Sequence, residues 1–184
     1  ILKIIKTKED KTTAIEGIKF RVTKGEGKSA QEIPLNNATD ARGELTVVKD
    51  EKITAENVEQ KDIYTIKEVM LGNKDYISLK DEEEISVYVT KGIKDNKYVA
   101  TDVSFDKENK AKTKEVELQD GSKVVVEAKV ENGVVVVTIP NKEIQGEYGL
   151  QIIKTAEDDK PLPGVKFKVT KEEGQSAKEL NVDK

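Results

Sequence analysis

Three polar side chains in this 184-residue chain continue rows of apolar ones, and between them they supply an amine, a carboxyl and a carboxamide. In the alternation expected of a strand, Leu2, Ile4 and Lys6 share a face, as do Tyr64, Ile66 and Glu68, and again Val135, Val137, Ile139 and Asn141. A core-facing lysine needs a partner or a reaction, because an unpaired buried ammonium is costly. Any one of the three alone is most simply a margin residue, with Lys6 lifting its amine into water. Together they are the set for one reaction. An uncharged lysine amine attacks the asparagine carboxamide carbon, a neutral carboxyl holds the amide oxygen and passes the proton to departing ammonia, and an amide crosslink remains. An apolar interior favours this, since desolvation lowers a lysine pKa and raises that of a carboxyl. Folding supplies the effective concentration. The alternative is a hydrogen-bonded polar cluster with no covalent step, and the residue types alone leave both open.

The elements that must position these groups are strands. Strands are expected over Leu2–Thr7, Gly17–Thr23, Leu45–Lys49, Asp62–Val69, Tyr76–Leu79, Glu84–Thr90, Tyr98–Phe105, Lys114–Leu118, Ser122–Val130 and Gly133–Ile139. Loops are expected over Gly25–Asn37 and Asp106–Thr113, a short helical turn from Thr54, and a hairpin turn at Asn132-Gly133. Pro140 suits a strand margin or edge. The fold class implied is an all-β sandwich.

Composition narrows the function. Charged residues make up 37% of the chain but nearly cancel, to a net −4, so no basic face offers itself to nucleic acid. There is no histidine and no cysteine, which removes the usual general base, the thiolate nucleophile, disulfides and zinc-thiolate sites. Paired carboxylates do not stand out, and a conventional hydrolase is not expected. The acidic run Asp81–Glu84 lacks calcium-loop spacing, so neither metal nor cofactor is expected. No apolar run approaches a membrane span, and the chain opens on a strand without a signal peptide, as an excised piece of something longer would.

The strongest organisational signal is a repeat. Leu2-Lys3-Ile4-Ile5-Lys6-Thr7 returns as Leu150-Gln151-Ile152-Ile153-Lys154-Thr155, and Gly17-Ile18-Lys19-Phe20-Arg21-Val22-Thr23-Lys24 as Gly164-Val165-Lys166-Phe167-Lys168-Val169-Thr170-Lys171. The offsets, 148 and 147, differ by one deletion in the intervening turn. The organisation expected is a domain over residues 1–146 and the truncated start of a second over 147–184, with almost no linker.

Several short motifs in order carry a resemblance: Ile4-Ile5-Lys6-Thr7, Ile15-Glu16-Gly17-Ile18-Lys19-Phe20, Thr39-Asp40-Ala41-Arg42-Gly43-Glu44, Tyr64-Thr65-Ile66-Lys67-Glu68 and Ile139-Pro140-Asn141-Lys142, with Pro161-Leu162-Pro163-Gly164-Val165-Lys166-Phe167 in the second copy. The chain resembles CnaB-type (SpaA/pilin-like, prealbumin-like) repeat domains of Gram-positive surface adhesins and pilins. That likeness implies an Ig-like or prealbumin-like sandwich. It also implies an isopeptide bond from Lys6 to Asn141 assisted by Glu68, formed in a single intramolecular turnover and not by an enzyme acting on substrates. Lys154 would be the matching lysine of the second repeat, unpaired here and unmodified. One departure is the 73 residues between Glu68 and Asn141, which imply inserted strands. The function implied is a stalk module of a cell-wall-anchored protein at the bacterial surface, outside the cell, with adjacent repeats of the same protein as its partners. The alternative is a ligand-binding module that contacts a host matrix protein or glycan through its loops.

Overall fold

The computed structural model describes residues 1–49, 51, 53, 60–69, 75–108, 110–144, 152–157, 160–171 and 178–179. The chain divides into two units, Ile1–Gln145 and Gly146–Lys184. The first unit holds β1 (Leu2–Lys8), β2 (Lys19–Lys24), β3 (Gln31–Ile33), β4 (Glu44–Val48), β5 (Gln60–Val69), β6 (Tyr76–Ile77), β7 (Ile85–Lys94), β8 (Lys97–Ser104), β9 (Thr113–Glu117), β10 (Lys123–Glu131) and β11 (Val134–Glu143). A single 3-10 turn spans Gly27–Ser29, and no α-helix occurs among the described residues.

One sheet runs β4-β1-β11-β10-β9, with β6 pairing the end of β11, and the other runs β3-β2-β5-β7-β8. Every pairing is antiparallel except β1 with β11, where Leu2 sits beside Val135 and Lys6 beside Ile139. Alternate residues make the inner faces: Leu2 and Ile4, Val135 and Val137 from one sheet meet Val22, Ile66, Val87 and Tyr64 from the other, all fully buried. The architecture is an all-β sandwich with the first and last strands side by side at its centre.

Turn chemistry explains the hairpins. Asn132 and Gly133 both take positive φ, 50° and 78°, as a two-residue hairpin turn requires. Asp95 and Asn96 do the same at 52° and 58° and join β7 to β8, a turn that sequence reasoning passed over. The strand expected over Glu84–Thr90 accordingly runs on to Lys94. A short strand, β3, forms within the expected loop Gly25–Asn37 by pairing with the edge of β2. The helical turn expected from Thr54 lies outside the described residues.

Pro140 lies in a central strand, not at an edge. Val135 donates its N–H to Ile1 O across the β1 side, so odd-numbered amides of β11 face β1 and position 140 faces away. On that side the β10 pairing has ended at Thr138 and β6 begins only at Lys142. The missing N–H falls in the gap between two partners, where the ladder loses nothing.

Both backbone polar groups of Lys6 are held: its N–H reaches Gly43 O at 2.7 Å, and its carbonyl accepts from Ile15 N–H at 2.9 Å. Gly43 has φ of +70°, and a Cβ built there would lie 2.3 Å from Lys6 O. Gly43→Ala is therefore expected to destabilise the unit by more than about 1 kcal/mol, read from a denaturant midpoint.

The second unit repeats the local backbone of the first. Thr155 bridges Pro161 as Thr7 bridges Ala14. Leu162 N–H bonds Lys154 O as Ile15 N–H bonds Lys6 O, and Ala156 N–H bonds Lys160 O as Lys8 N–H bonds Thr13 O. Gly164 has φ of 79° where Gly17 has 80°. These contacts follow the two sequence offsets and place the deletion in the turn between them. Two short strands, β12 (Thr170–Lys171) and β13 (Lys178–Glu179), pair antiparallel.

Candidate functional site

β1 and β11 run parallel and adjacent, so their inward residues near the same end converge, and Lys6 and Asn141 come from one sheet. Glu68 comes from the other: it sits opposite Phe20 in the β2–β5 pairing and faces inward with Tyr64 and Ile66. The site therefore bridges the two layers, across the roughly 10 Å that separates packed sheets.

The three side chains close into a ring of hydrogen bonds. Lys6 Nζ donates to Asn141 Oδ1 at 2.5 Å and to Glu68 Oε2 at 3.0 Å, and Asn141 Nδ2 donates to Glu68 Oε1 at 2.8 Å. Lys6 and Asn141 are 0% exposed and the Glu68 side chain 2%. The residues singled out by face alternation alone are thus brought together despite the 73 residues between Glu68 and Asn141.

Burial pushes the Lys6 ammonium down to about 8, against the opposing pull of the Glu68 charge and its hydrogen bond. The Phe20 ring lies 5.9 Å from Nζ, and the Leu79 amide approaches Glu68 Oε2 at 3.4 Å. Leu79 lies in the chain between Glu68 and Asn141 and bridges Leu118, which ties that stretch to the site. No sequence signal pointed to Leu79, because it acts through its backbone. A surface cleft of about 260 Å³ is lined by Glu68 together with Arg21, Lys67, Val69, Lys80 and Asp81–Glu83.

Chemically, the arrangement can pass the Lys6 proton to Glu68, leaving a neutral amine against the Asn141 carboxamide and an acid against its nitrogen.

Among the described residues no comparable site is assembled around Lys154. It is exposed, as are Ile152, Val165 and Phe167, whereas their counterparts Ile4, Ile18 and Phe20 are core residues. Among the described residues no group of acidic side chains is arranged to hold a metal ion. No protein family, characterised relative or solved structure matches this chain.

Proposed function

We propose that the first unit is a self-stapling sandwich of the CnaB type, a stalk repeat of a cell-wall-anchored surface protein or pilus-like fibre, in which Lys6 and Asn141 form an isopeptide bond. The observation that carries this reading is the closed, solvent-free ring of Lys6, Glu68 and Asn141. Folding aligns the groups, and the Lys6 proton moves to Glu68. The amine then attacks the Asn141 carbonyl carbon, Glu68 gives that proton to the nitrogen that leaves as ammonia, and the carboxylate so formed takes up the second proton that the attacking nitrogen sheds as the amide forms. The bond spans 135 residues. It joins β1 to the C-terminal part of β11, so tension entering at Ile1 and leaving beyond Glu143 passes through the staple and bypasses the sandwich between them.

The test is intact mass under denaturing conditions. The expected value is the sequence mass less one ammonia, with Lys6→Ala and Asn141→Ala each at their full sequence mass. An unsubstituted chain at its full sequence mass would remove the crosslink from the account.

The pH dependence of stapling follows from the proton count. The reactive pair, neutral amine with neutral acid, carries as many protons as the ammonium–carboxylate pair, so its share is constant across neutral pH. It is lost once that shared proton leaves, above about 8. Chain recovered unreacted from denatured inclusion bodies and refolded at set pH, with acid-quenched samples weighed, should staple at a constant rate through neutrality. Above about pH 8 the rate should fall by about tenfold per unit.

A ligand-binding role has one observation in its favour. A groove of about 210 Å³ lies where the loops meet, lined by Glu26 and Lys107 with Ile63 and Tyr88, and Lys107 pairs Glu26 at 3.3 Å. Saturable binding to a matrix protein, abolished by deleting residues 106–112, would establish that role instead.

A further inference from the structure

The inner face of the sandwich ends in a second buried lysine, about 20 Å from the first as measured along β5 from Glu68 to Asp62. Lys91 on β7 is 0% exposed, and its Nζ contacts Glu51 Oε2 at 2.5 Å and also Asp62 Oδ2. Lys24 on β2 reaches the same two carboxylates, Glu51 Oε1 at 2.5 Å and Asp62 Oδ2 at 3.0 Å. The Tyr98 ring lies 4.7 Å beneath Lys91 Nζ, and the Tyr64 hydroxyl donates to Asp62 at 3.4 Å. Thr101 places the Tyr98 ring there. It is the extra residue where the β7–β8 register steps from Thr90–Asp102 to Lys91–Ala100. That bulge reverses the alternation of β8, so Tyr98 and Ala100 face inward along with Val103.

Lys91 differs from Lys6 in its company. Lys6 shares its carboxylate with a neutral carboxamide, whereas Lys91 lies among two carboxylates and a second ammonium, a set that balances as ions and contains no amide to displace. Burial works to raise Glu51 and Asp62, yet the hydrogen bonds from Lys24 and Lys91 carry both below the ordinary carboxyl range. Burial likewise opposes the Lys24 ammonium, and the bonds to Glu51 and Asp62 outweigh it and raise its pKa.

We propose that this four-charge cluster is the acid-sensitive clasp of the sandwich, closing the end of the core that the Lys6 site does not reach, and that the unit opens there first when Glu51 and Asp62 take up protons. The clasp ties β2, β5, β7 and the chain just after β4 to one point, and it does not require the staple to have formed. Both carboxyls have folded pKa values below their unfolded ones. Their contribution is therefore complete above the ordinary carboxyl range and is lost as pH falls through the folded values. Protonation then leaves Lys91 buried without a counter-charge, which favours opening.

Hydrogen exchange of the full chain, corrected for intrinsic rates, tests this between about pH 6 and about pH 2, from above the ordinary carboxyl values of about 3.9 and 4.3 to well below them. Peptides from β7 and β8 should lose at least about tenfold more protection than those from β1 and β11. The Glu51→Gln/Asp62→Asn variant mimics the protonated carboxyls and should show the same pattern already at pH 6. Uniform acid loss, earlier loss at β1 and β11, or unchanged β7–β8 protection in the variant would each overturn the clasp. The wild-type series decides even if the variant does not fold. Intact mass, read on the same samples, judges the staple separately.

Discussion

Asn141→Ala is expected to cost the folded unit about 5 kcal/mol and to release under tension a length of chain that the unsubstituted protein never yields. The stability term comes from the unfolded state. A staple from Lys6 to Asn141 closes a loop of 135 residues, and removing it returns that loop-closure entropy to the denatured ensemble. The mechanical term comes from topology. β1 and β11 are parallel neighbours, so pulling the chain from its two sides shears them past each other, and only their hydrogen bonds resist once the staple is gone. Fully extended, the released segment measures about 45 nm. Single-molecule stretching should show that step in the variant and no step of that size in the stapled chain. Equal extension in both would refute the proposed load path even if mass spectrometry found the bond.

Lys6→Ala removes the same loop constraint and also leaves Glu68 buried without its cation, so it should be the less stable of the two single variants. Parallel denaturant titrations compare them. The ordering tests whether Glu68 and Lys6 are an ion pair in the unstapled fold.

How far the sequence could be read depended on whether alternation ran unbroken. Lys6, Glu68 and Asn141 stand out because each extends an apolar row in a strand whose bounds are clear, and the structure places the three in mutual contact. The same signal exists for Lys91, which follows Ile85, Val87 and Val89 at the same spacing but lies one residue past the strand expected over Glu84–Thr90. Lys24 likewise follows Phe20 and Val22, and Asp62 precedes Tyr64 and Ile66, each on the face of the apolar row that it extends. Tyr98 was beyond the reach of alternation, since the bulge at Thr101 changes which face it occupies and nothing local announces a bulge. Pro140 misled because the rule confining proline to edges is a rule about unpaired amide directions, and a central strand can contain one such direction where its partners change. Glu51 lies outside any strand, and its placement depends on tertiary contact with Lys24 and Lys91 that no spacing encodes.

Glu68→Gln is the substitution that separates proton transfer from nucleophile activation. A carboxamide keeps the shape of the side chain and can still accept from Lys6, so the sandwich should fold. What it removes is the negative charge that opposes burial in setting the Lys6 pKa. The lysine should then fall further below about 8, and a larger share of it should be neutral amine at pH 7. If nucleophile strength limited the reaction, stapling would speed up. The geometry places Glu68 against both the amine that must lose a proton and the Asn141 nitrogen that must gain one, at 3.0 Å and 2.8 Å, so the expected result is the reverse. Loss of a general acid–base group typically slows a reaction by about 10²- to 10⁴-fold. The variant should be recovered folded by circular dichroism and at its full sequence mass. Its residual stapling should also change its pH profile, rising toward alkaline pH with the free amine and no longer falling above about 8, because no shared proton remains to be lost. A Glu68→Gln protein that staples at the unsubstituted rate would leave Glu68 an electrostatic neighbour only, and the proton would have to travel by another route.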